Sequence, residues 1–392
     1  MIELANIDDC TGCSACSFVC PKSCIKMTEG KDGILLPNID HKLCIQCHKC
    51  QNTCPVLSPP LYNKPLKAYA AWSKDKKERL TSASGGIAAE IYKETVDKQH
   101  KAIGAKQEDD FKVRLALSDN YEEIKPFKNS KYVFSYTDDI YDKIRKELIA
   151  GNSITIIALP CQIAAVRKIF SKYLNQLLLV DVVCHGVTPF EFLKQHICKL
   201  ESQKKQHAVK MSFRDPYTYT YTYTFTLYNE KGERFYAKRT KEGDSYQYGY
   251  HRNLSYRENC YHCRFARRER VSDITLNDYK NIGKYAPSKF TTEHNLSSII
   301  VNTTKGEDAV VQLIKNGKID AEERPLKEPL EADGSLNHPP PKKAARFAFE
   351  KYLLKYEYDF EKTMKKVIIL DKKKEYVKLI CSILNKLRRN QK

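Results

Sequence analysis

The chain lacks any apolar run long enough to cross a bilayer. Its longest, "ITIIALP" (154–160) and "LLLVDVV" (177–183), fall far short of the ~20 residues a helical span requires. It also lacks the basic-then-apolar start of an export signal, since it opens "MIELANIDDC". That combination leads us to expect a cytoplasmic protein in a reducing compartment, where clustered cysteines read as metal ligands rather than disulfides. No nucleic-acid-binding motif accompanies the net charge of +19, and lysine is spread along the whole length. Such a surface fits acidic redox partners and phosphate-bearing cofactors better than a nucleic acid. At 392 residues there is room for two or three domains.

Cysteine is plentiful. Fifteen are present, nine of them before residue 55. "CTGCSACSFVCP" sets Cys10, Cys13, Cys16 and Cys20 before a proline, and "CIQCHKCQNTCP" does the same for Cys44, Cys47, Cys50 and Cys54. Both follow the bacterial ferredoxin spacing, in which the fourth cysteine of each run ligates the other cluster. One [4Fe-4S] cluster is therefore expected on Cys10, Cys13, Cys16 and Cys54, and a second on Cys44, Cys47, Cys50 and Cys20. Zinc has no use for the third closely spaced cysteine and the proline in both repeats. Cys24 is left over. Between the repeats, two short strands should meet at a turn over Asp32 and Gly33.

The proline-rich "PVLSPPLYNKP" ends this unit. Beyond it, Ser84, Gly85 and Gly86 precede an amphipathic helical stretch with Ile87, Ile91 and Val96 on one face. This is a turn that suits a phosphate, or an ordinary helix start. "SITIIALPCQIAAVRKIF" and "LNQLLLVDVVCHGVTPFEFLKQHI" each read strand, turn, helix, a βαβ pattern that demands parallel strands. Cys161 and Cys184 follow the two strands, so both thiols should lie on the rim where open α/β sheets bind ligands. With the Cys260 and Cys263 pair of "RENCYHCRFARR" they make four, a third cluster site with zinc as the rival metal. His185 is noteworthy only as the neighbour of Cys184, and no catalytic acid or base stands out. Cys198 and Cys381 read as core residues.

"SFRDPYTYTYTYTFTLYNEKG" alternates strictly. It is expected to be one long antiparallel strand with Tyr217, Tyr219, Tyr221, Tyr223, Phe225 and Leu227 on one face, a packed face or an aromatic wall for a ring. Arg214, Arg264, Arg267, Arg268 and Arg270 offer anion-binding chemistry near the third site, or a solvated face. From Glu361 onward the tail has eleven Lys and Arg against three acids, with Tyr376, Val377, Leu379, Ile380, Ile383, Leu384 and Leu387 at helical spacing. It suits docking on the body, a partner contact, or peripheral contact with an anionic membrane.

Seven stretches together give the chain a family likeness: "SASGGIAAEI", "NSKYV", "LPCQIAA", "DVVCHGVTP", "SFRD", "RENCYHCRFARRERVSDITLND" and "SSIIVNTTKG". With the ferredoxin run, they resemble the family of coenzyme F-420 hydrogenase/dehydrogenase beta subunits, in its form with a fused dicluster domain. The resemblance implies an FAD-containing iron–sulfur oxidoreductase. Ser84, Gly85, Gly86, Ser130, Lys131 and Tyr132 would hold the flavin, and Cys161, Cys184, Cys260 and Cys263 would hold iron rather than zinc. Single electrons would arrive from a redox partner such as a ferredoxin, and a hydride would pass to or from an organic substrate. A non-catalytic electron-transfer subunit of a larger complex, or an iron–sulfur protein without flavin, are the rival readings. The chain departs from the family at Ala158-Leu159, where Gly-Thr is usual, and at Asn277 to Asn281, where Gly-Asp-Phe-Trp-Gly is usual.

The expected fold is α+β: a dicluster ferredoxin-type domain (1–58), then an α/β flavin and iron–sulfur unit with a partly parallel sheet. That unit divides into an N-terminal region (59–145) and a C-terminal region with the third, four-cysteine site (146–310). A basic extension (311–392) closes the chain.

Overall fold

A computed structural model describes residues 2–217, 222–292 and 294–373. The fold is mixed α/β. At the N-terminal end, β1 (Ile25–Glu29) and β2 (Leu35–Ile39) form an antiparallel hairpin, with Ile25 opposite Ile39. The turn passes through Gly33 at φ +72°, as the Asp-Gly pair foretold. The sequence repeat is also a backbone repeat. Ser14 and His48, each one residue past a second cysteine, share left-handed φ values of 60° and 59°. Each then starts a short helix, Ala15–Phe18 or Lys49–Thr53.

The following strands are β3 (Lys67–Ser73), β4 (Lys101–Gln107), β5 (Val113–Ser118), β6 (Ser135–Tyr136), β7 (Ile154–Ala158) and β8 (Leu177–Val182). Next come β9 (Lys210–Ser212), β10 (Thr224–Tyr228), β11 (Arg234–Arg239), β12 (Ile274–Asp278), β13 (Ser297–Val301) and β14 (Ile319–Arg324). Nine of them build one sheet in the order β14-β3-β13-β12-β8-β7-β4-β5-β6. Its centre, β12-β8-β7-β4, is parallel, and antiparallel strands flank it. The central strands are unbroken apolar runs because helices cover both faces. Ile154, Ile156 and Leu179 pack with the helices Ile140–Ile149 and Pro160–Ile169. Ile157, Val180 and Ile299 pack on the other side with Ile87–Asp97 and Thr304–Lys315. Strands from all three expected regions past residue 58 share this sheet, and edge strand β14 comes from the stretch read as an extension.

The long alternating strand is corrected. Residues 218–221, with Tyr219 and Tyr221, lie outside the described residues. Only Thr224–Tyr228 forms the strand, between β9 and β11. Tyr223 has φ 54°, which no strand accepts, and Tyr217 is exposed. Thr224 and Thr226 are as buried as Phe225 and Leu227, since this sheet is covered on both faces. Cys198 is also corrected: it is exposed on the helix Phe190–Lys204. Cys381 and the apolar tail positions from Tyr376 onward lie outside the described residues.

The first turns of the tail dock on the body. Residues 360–373 are helical, and Phe360, Met364 and Val367 are fully buried. The buried His196 ties them down. Its Nδ1 meets Glu361 Oε1 at 2.6 Å and its Nε2 meets Asp244 Oδ2 at 3.0 Å. Burial alone would lower its pKa, but Asp244 and Glu361 overcome that and hold it up at about 9. Among the described residues no helix is long and apolar enough to cross a membrane.

Candidate iron–sulfur and organic cofactor sites

One rim of the sheet collects everything. The parallel strands β4, β7, β8 and β12 end there, and β3 runs with them. Strands β13 and β6 run the other way, so they begin at the same rim. Cys161 follows β7 in the first turn of its helix, and Cys184 lies two residues past β8. The Ser84–Gly86 turn follows β3, and Ser130–Tyr132 leads into β6.

Three small cavities are lined by cysteine. Cys10, Cys13, Cys16 and Cys54 line the first. Cys20, Cys44, Cys47 and Cys50 line the second, together with the leftover Cys24, whose sulfur is 3.3 Å from that of Cys20. The crossing of Cys20 and Cys54 between repeats matches the expected ligand swap. Cys161, Cys184, Cys260 and Cys263 line the third, with Leu159, His185, Arg270 and ferredoxin residues Thr11, Gly12 and Cys13. Cys13 thus walls both the first and third cavities. Its carbonyl accepts hydrogen bonds from Tyr141 Oη at 2.7 Å and Thr137 Oγ1 at 3.2 Å, which fix the loop against the sheet.

The donor sets favour clusters over single ions. A zinc ion about 2.3 Å from four sulfurs would draw them within about 3.8 Å of one another. Among the described residues no three Cys, His, Asp or Glu side chains converge tightly enough to hold one ion. The thiols instead surround cavities. Burial pushes Cys13 up to about 11 and Cys260 to about 12, and raises Cys161, Cys184 and Cys263 as well. So many buried thiols have no ionic partner of their own, and a cationic iron–sulfide core is the group that would make them thiolates.

Against the third cavity lies a larger cleft of about 370 Å³, within the range of small-molecule sites. Leu159, Gln162 and Cys184 to Val187 wall both spaces. Ser84, Gly86, Ser130, Lys131 and Tyr132 line the cleft. Gly85 does not: it packs into the sheet edge, where a Cβ would come within 2.5 Å of the Ala71 carbonyl. Its N–H donates to Ser297 Oγ at 2.8 Å. Gly86, at φ +83°, opens the helix Ile87–Asp97 with no side chain capping it, so backbone N–H groups face the cleft as a phosphate would require. Lys131 Nζ donates to the carbonyls of Pro126 and Lys128 at 2.8 and 2.9 Å, and burial pushes its pKa down to about 7. Tyr132 stacks on Tyr250 at 4.6 Å. These features fit a phosphate-bearing, aromatic cofactor such as a flavin.

The altered family positions have visible effects. Leu159 forms apolar wall between the two spaces. Tyr279 turns away from the cleft into the core, where its hydroxyl donates to Glu328 Oε2 at 2.5 Å. Lys280 and Asn277 line the cleft instead, and both bond Asp333. His185 Nε2 lies 3.2 Å from the same carboxylate. The arginines divide. Arg270 walls the third cavity and pairs with buried Asp181 at 3.0 Å. Arg214 belongs to the cleft, paired with Asp278 at 2.7 Å under the ring of Tyr223. Arg264 caps the Val56 carbonyl, Arg267 covers Tyr62 and Arg268 bonds Asn337.

Several lining residues carried no signal in sequence. Tyr250, His251 and Tyr256 come from "SYQYGYHRNLSY", where tyrosine spacing fits neither a strand nor a helix cleanly. Gly186 was hidden among loop residues. Its φ is +136°, and a Cβ there would meet the Tyr256 ring at 2.4 Å.

Comparison with known proteins agrees with this arrangement. Residues 9–57 match the 4Fe-4S dicluster domain, and residues 151–327 match the family described as coenzyme F-420 hydrogenase/dehydrogenase, C terminus of the beta subunit. A curated relative, the F-type subunit of the F(420)H(2) dehydrogenase of Methanosarcina mazei, is 23% identical over 187 residues, 45% of this chain. The match spans 53% of that relative, about half its length. A chain of the F-420-reducing nickel–iron hydrogenase complex from Methanosarcina barkeri superposes with a TM-score of 0.44 and 17% identity, covering 80% of this chain and 94% of that one. This protein is therefore an iron–sulfur protein of electron-transfer type, in which a 4Fe-4S dicluster domain binding two clusters precedes a domain of the C-terminal family of coenzyme F-420 hydrogenase/dehydrogenase beta subunits.

Proposed function

We propose that the chain is an iron–sulfur flavoprotein oxidoreductase that relays single electrons between a protein partner and FAD, for hydride exchange with an organic substrate. The observation that carries this reading is the pair of shared walls: Cys13 between the first and third cavities, and Cys184 between the third cavity and the cleft. Clusters pass one electron at a time and a flavin exchanges a pair, chemistry that side chains lack.

The chain's own residues supply position and electrostatics. Cys161, Cys184, Cys260 and Cys263 would hold the third cluster away from water, which burial of all four supports. The uncapped helix start at Gly86 would take a pyrophosphate, and Lys131 would set a positive charge against the ring system. Tyr132 and Tyr250 supply a flat aromatic surface. Arg214, Lys280 and His185 cluster at the same cleft and favour an anionic substrate. A basic surface, net +19, would draw an acidic carrier such as a ferredoxin.

Anaerobic purification with iron, sulfide and flavin measured together tests the reading. Three clusters and one FAD require roughly twelve irons and one flavin per chain. A protein with full iron and no flavin, before or after incubation with FAD, would sink the flavin part. A second reading, an electron-transfer subunit with no substrate of its own, is favoured by the relative being itself a dehydrogenase subunit. Turnover of a substrate by the isolated chain with an artificial electron donor would exclude it.

A further inference from the structure

We propose that Arg257 is a counter-charge shared by the first ferredoxin cluster and the cluster of the four-cysteine site, making both easier to reduce. The part concerning the four-cysteine site rests on the function proposed above.

Five arginines are deeply buried, and four pair with a carboxylate: Arg214 with Asp278 at 2.7 Å, Arg270 with Asp181 at 3.0 Å, Arg324 with Glu328 at 2.9 Å and Arg346 with Glu350 at 2.9 Å. Arg257 is buried as fully, yet among the described residues no acid pairs with it. Its Nη2 donates to the carbonyls of Cys10 at 3.2 Å and Leu35 at 3.3 Å. Its Nε and Nη1 meet no hydrogen-bond partner. A buried guanidinium with two idle donors is strongly unfavourable unless an anion balances it.

The anion is legible from where the side chain lies. The Arg257 N–H donates to the Val187 carbonyl at 2.9 Å, at the start of the short helix that carries Cys260. Its side chain then crosses to the ferredoxin loop. The guanidinium carbon lies 4.5 Å from the centre of the Phe134 ring, and Phe134 walls the four-cysteine cavity. Gly12 walls that cavity too, and a Cβ on it would stand 2.7 Å from Arg257 Nη1. The bare Gly12 therefore gives the arginine its seat between the two sites. Four thiolates around a four-iron core leave a net negative charge on each side, and reduction adds one more. A fixed positive charge between them favours the reduced forms. The second ferredoxin site has no such contact with Arg257.

The test compares full-length wild type, Arg257→Gln and Arg257→Lys, purified anaerobically with iron counted, and follows each cluster by EPR as the solution potential is lowered stepwise. The Gln variant is expected to make two of three clusters at least tenfold harder to reduce, about 59 mV for a one-electron couple. The third should be unmoved. The Lys variant, which keeps the charge, should stay near wild type. Three unmoved clusters at full iron, or three that move equally, would overturn the proposal. If wild type holds only two clusters and one of them moves, Arg257 still acts on the first site and the four-cysteine reading alone fails. If the Gln variant cannot load iron, the Lys variant decides: it must load, with potentials near wild type, and displaced potentials there overturn the proposal.

Discussion

The contact between His196 and Glu361 ties the tail to the wall of the cleft, and its strength should depend on pH. His196 is fully buried and doubly bonded to Asp244 and Glu361. Tyr236 Oη donates to Asp244, Ser245 Oγ donates to Glu361, and Lys199 bonds Glu361 Oε2. Asp244 also caps the helix Ser245–His251, which presents Tyr250 and His251 to the cleft. Tyr246 of that helix donates to the Tyr132 carbonyl at 2.7 Å. With a folded pKa of about 9 against an ordinary 6.5, the shift is worth about 3 kcal/mol. Because the folded value is the higher one, this stability is complete below pH 6.5 and is lost as pH rises through about 9. Asp244 and Glu361 are held below the usual carboxylate range, so they keep their side of the contact above about pH 4 and lose it in acid. Urea unfolding of wild type and Glu361→Gln from pH 6 to 10 reads the effect. Wild type should lose about 3 kcal/mol more than the variant over that range, and flavin should be released in the same window. Parallel curves for the two proteins would refute the reasoning, because the tail would then contribute nothing to the proton affinity of His196.

Gly186→Ala combines a φ of +136° with overlap on the Tyr256 ring, so it should destabilise by at least about 1–3 kcal/mol and reduce flavin retention, read by thermal melting and absorbance. Asp181→Asn strips the charge partner from buried Arg270, and chemical denaturation should show a loss of about 3–5 kcal/mol. Lys131→Met removes the ammonium held by backbone carbonyls at the cleft and should weaken FAD binding at least several-fold by fluorescence titration while leaving iron content unchanged. Unchanged affinity would take Lys131 out of the flavin site.

The cysteine spacing was the most legible feature, because a cubane constrains both the interval between ligands and the proline that ends each loop. The parallel centre was legible as well. Apolar runs such as Ile154–Ala158 followed by a helix allow few other arrangements, and Cys161 and Cys184 reach one rim as a consequence. The long tyrosine strand failed because alternation alone cannot signal a backbone turn such as that at Tyr223. Cys198 failed because cysteine is commonly buried, and nothing local marks an exposed one. The cleft walls from Tyr250 to Tyr256 were illegible because tertiary packing, not local pattern, turns them inward. Arg257 was illegible for another reason: a buried charge without an acid is recognised only once its surroundings are known.

The central claim is that Cys161, Cys184, Cys260 and Cys263 hold a third cluster beside the cleft. Iron and acid-labile sulfide in anaerobically purified wild type and Cys260→Ser test it most directly. The account predicts a loss of about four irons per chain in the variant, with the two ferredoxin EPR signals intact. Equal iron in the two proteins would contradict it.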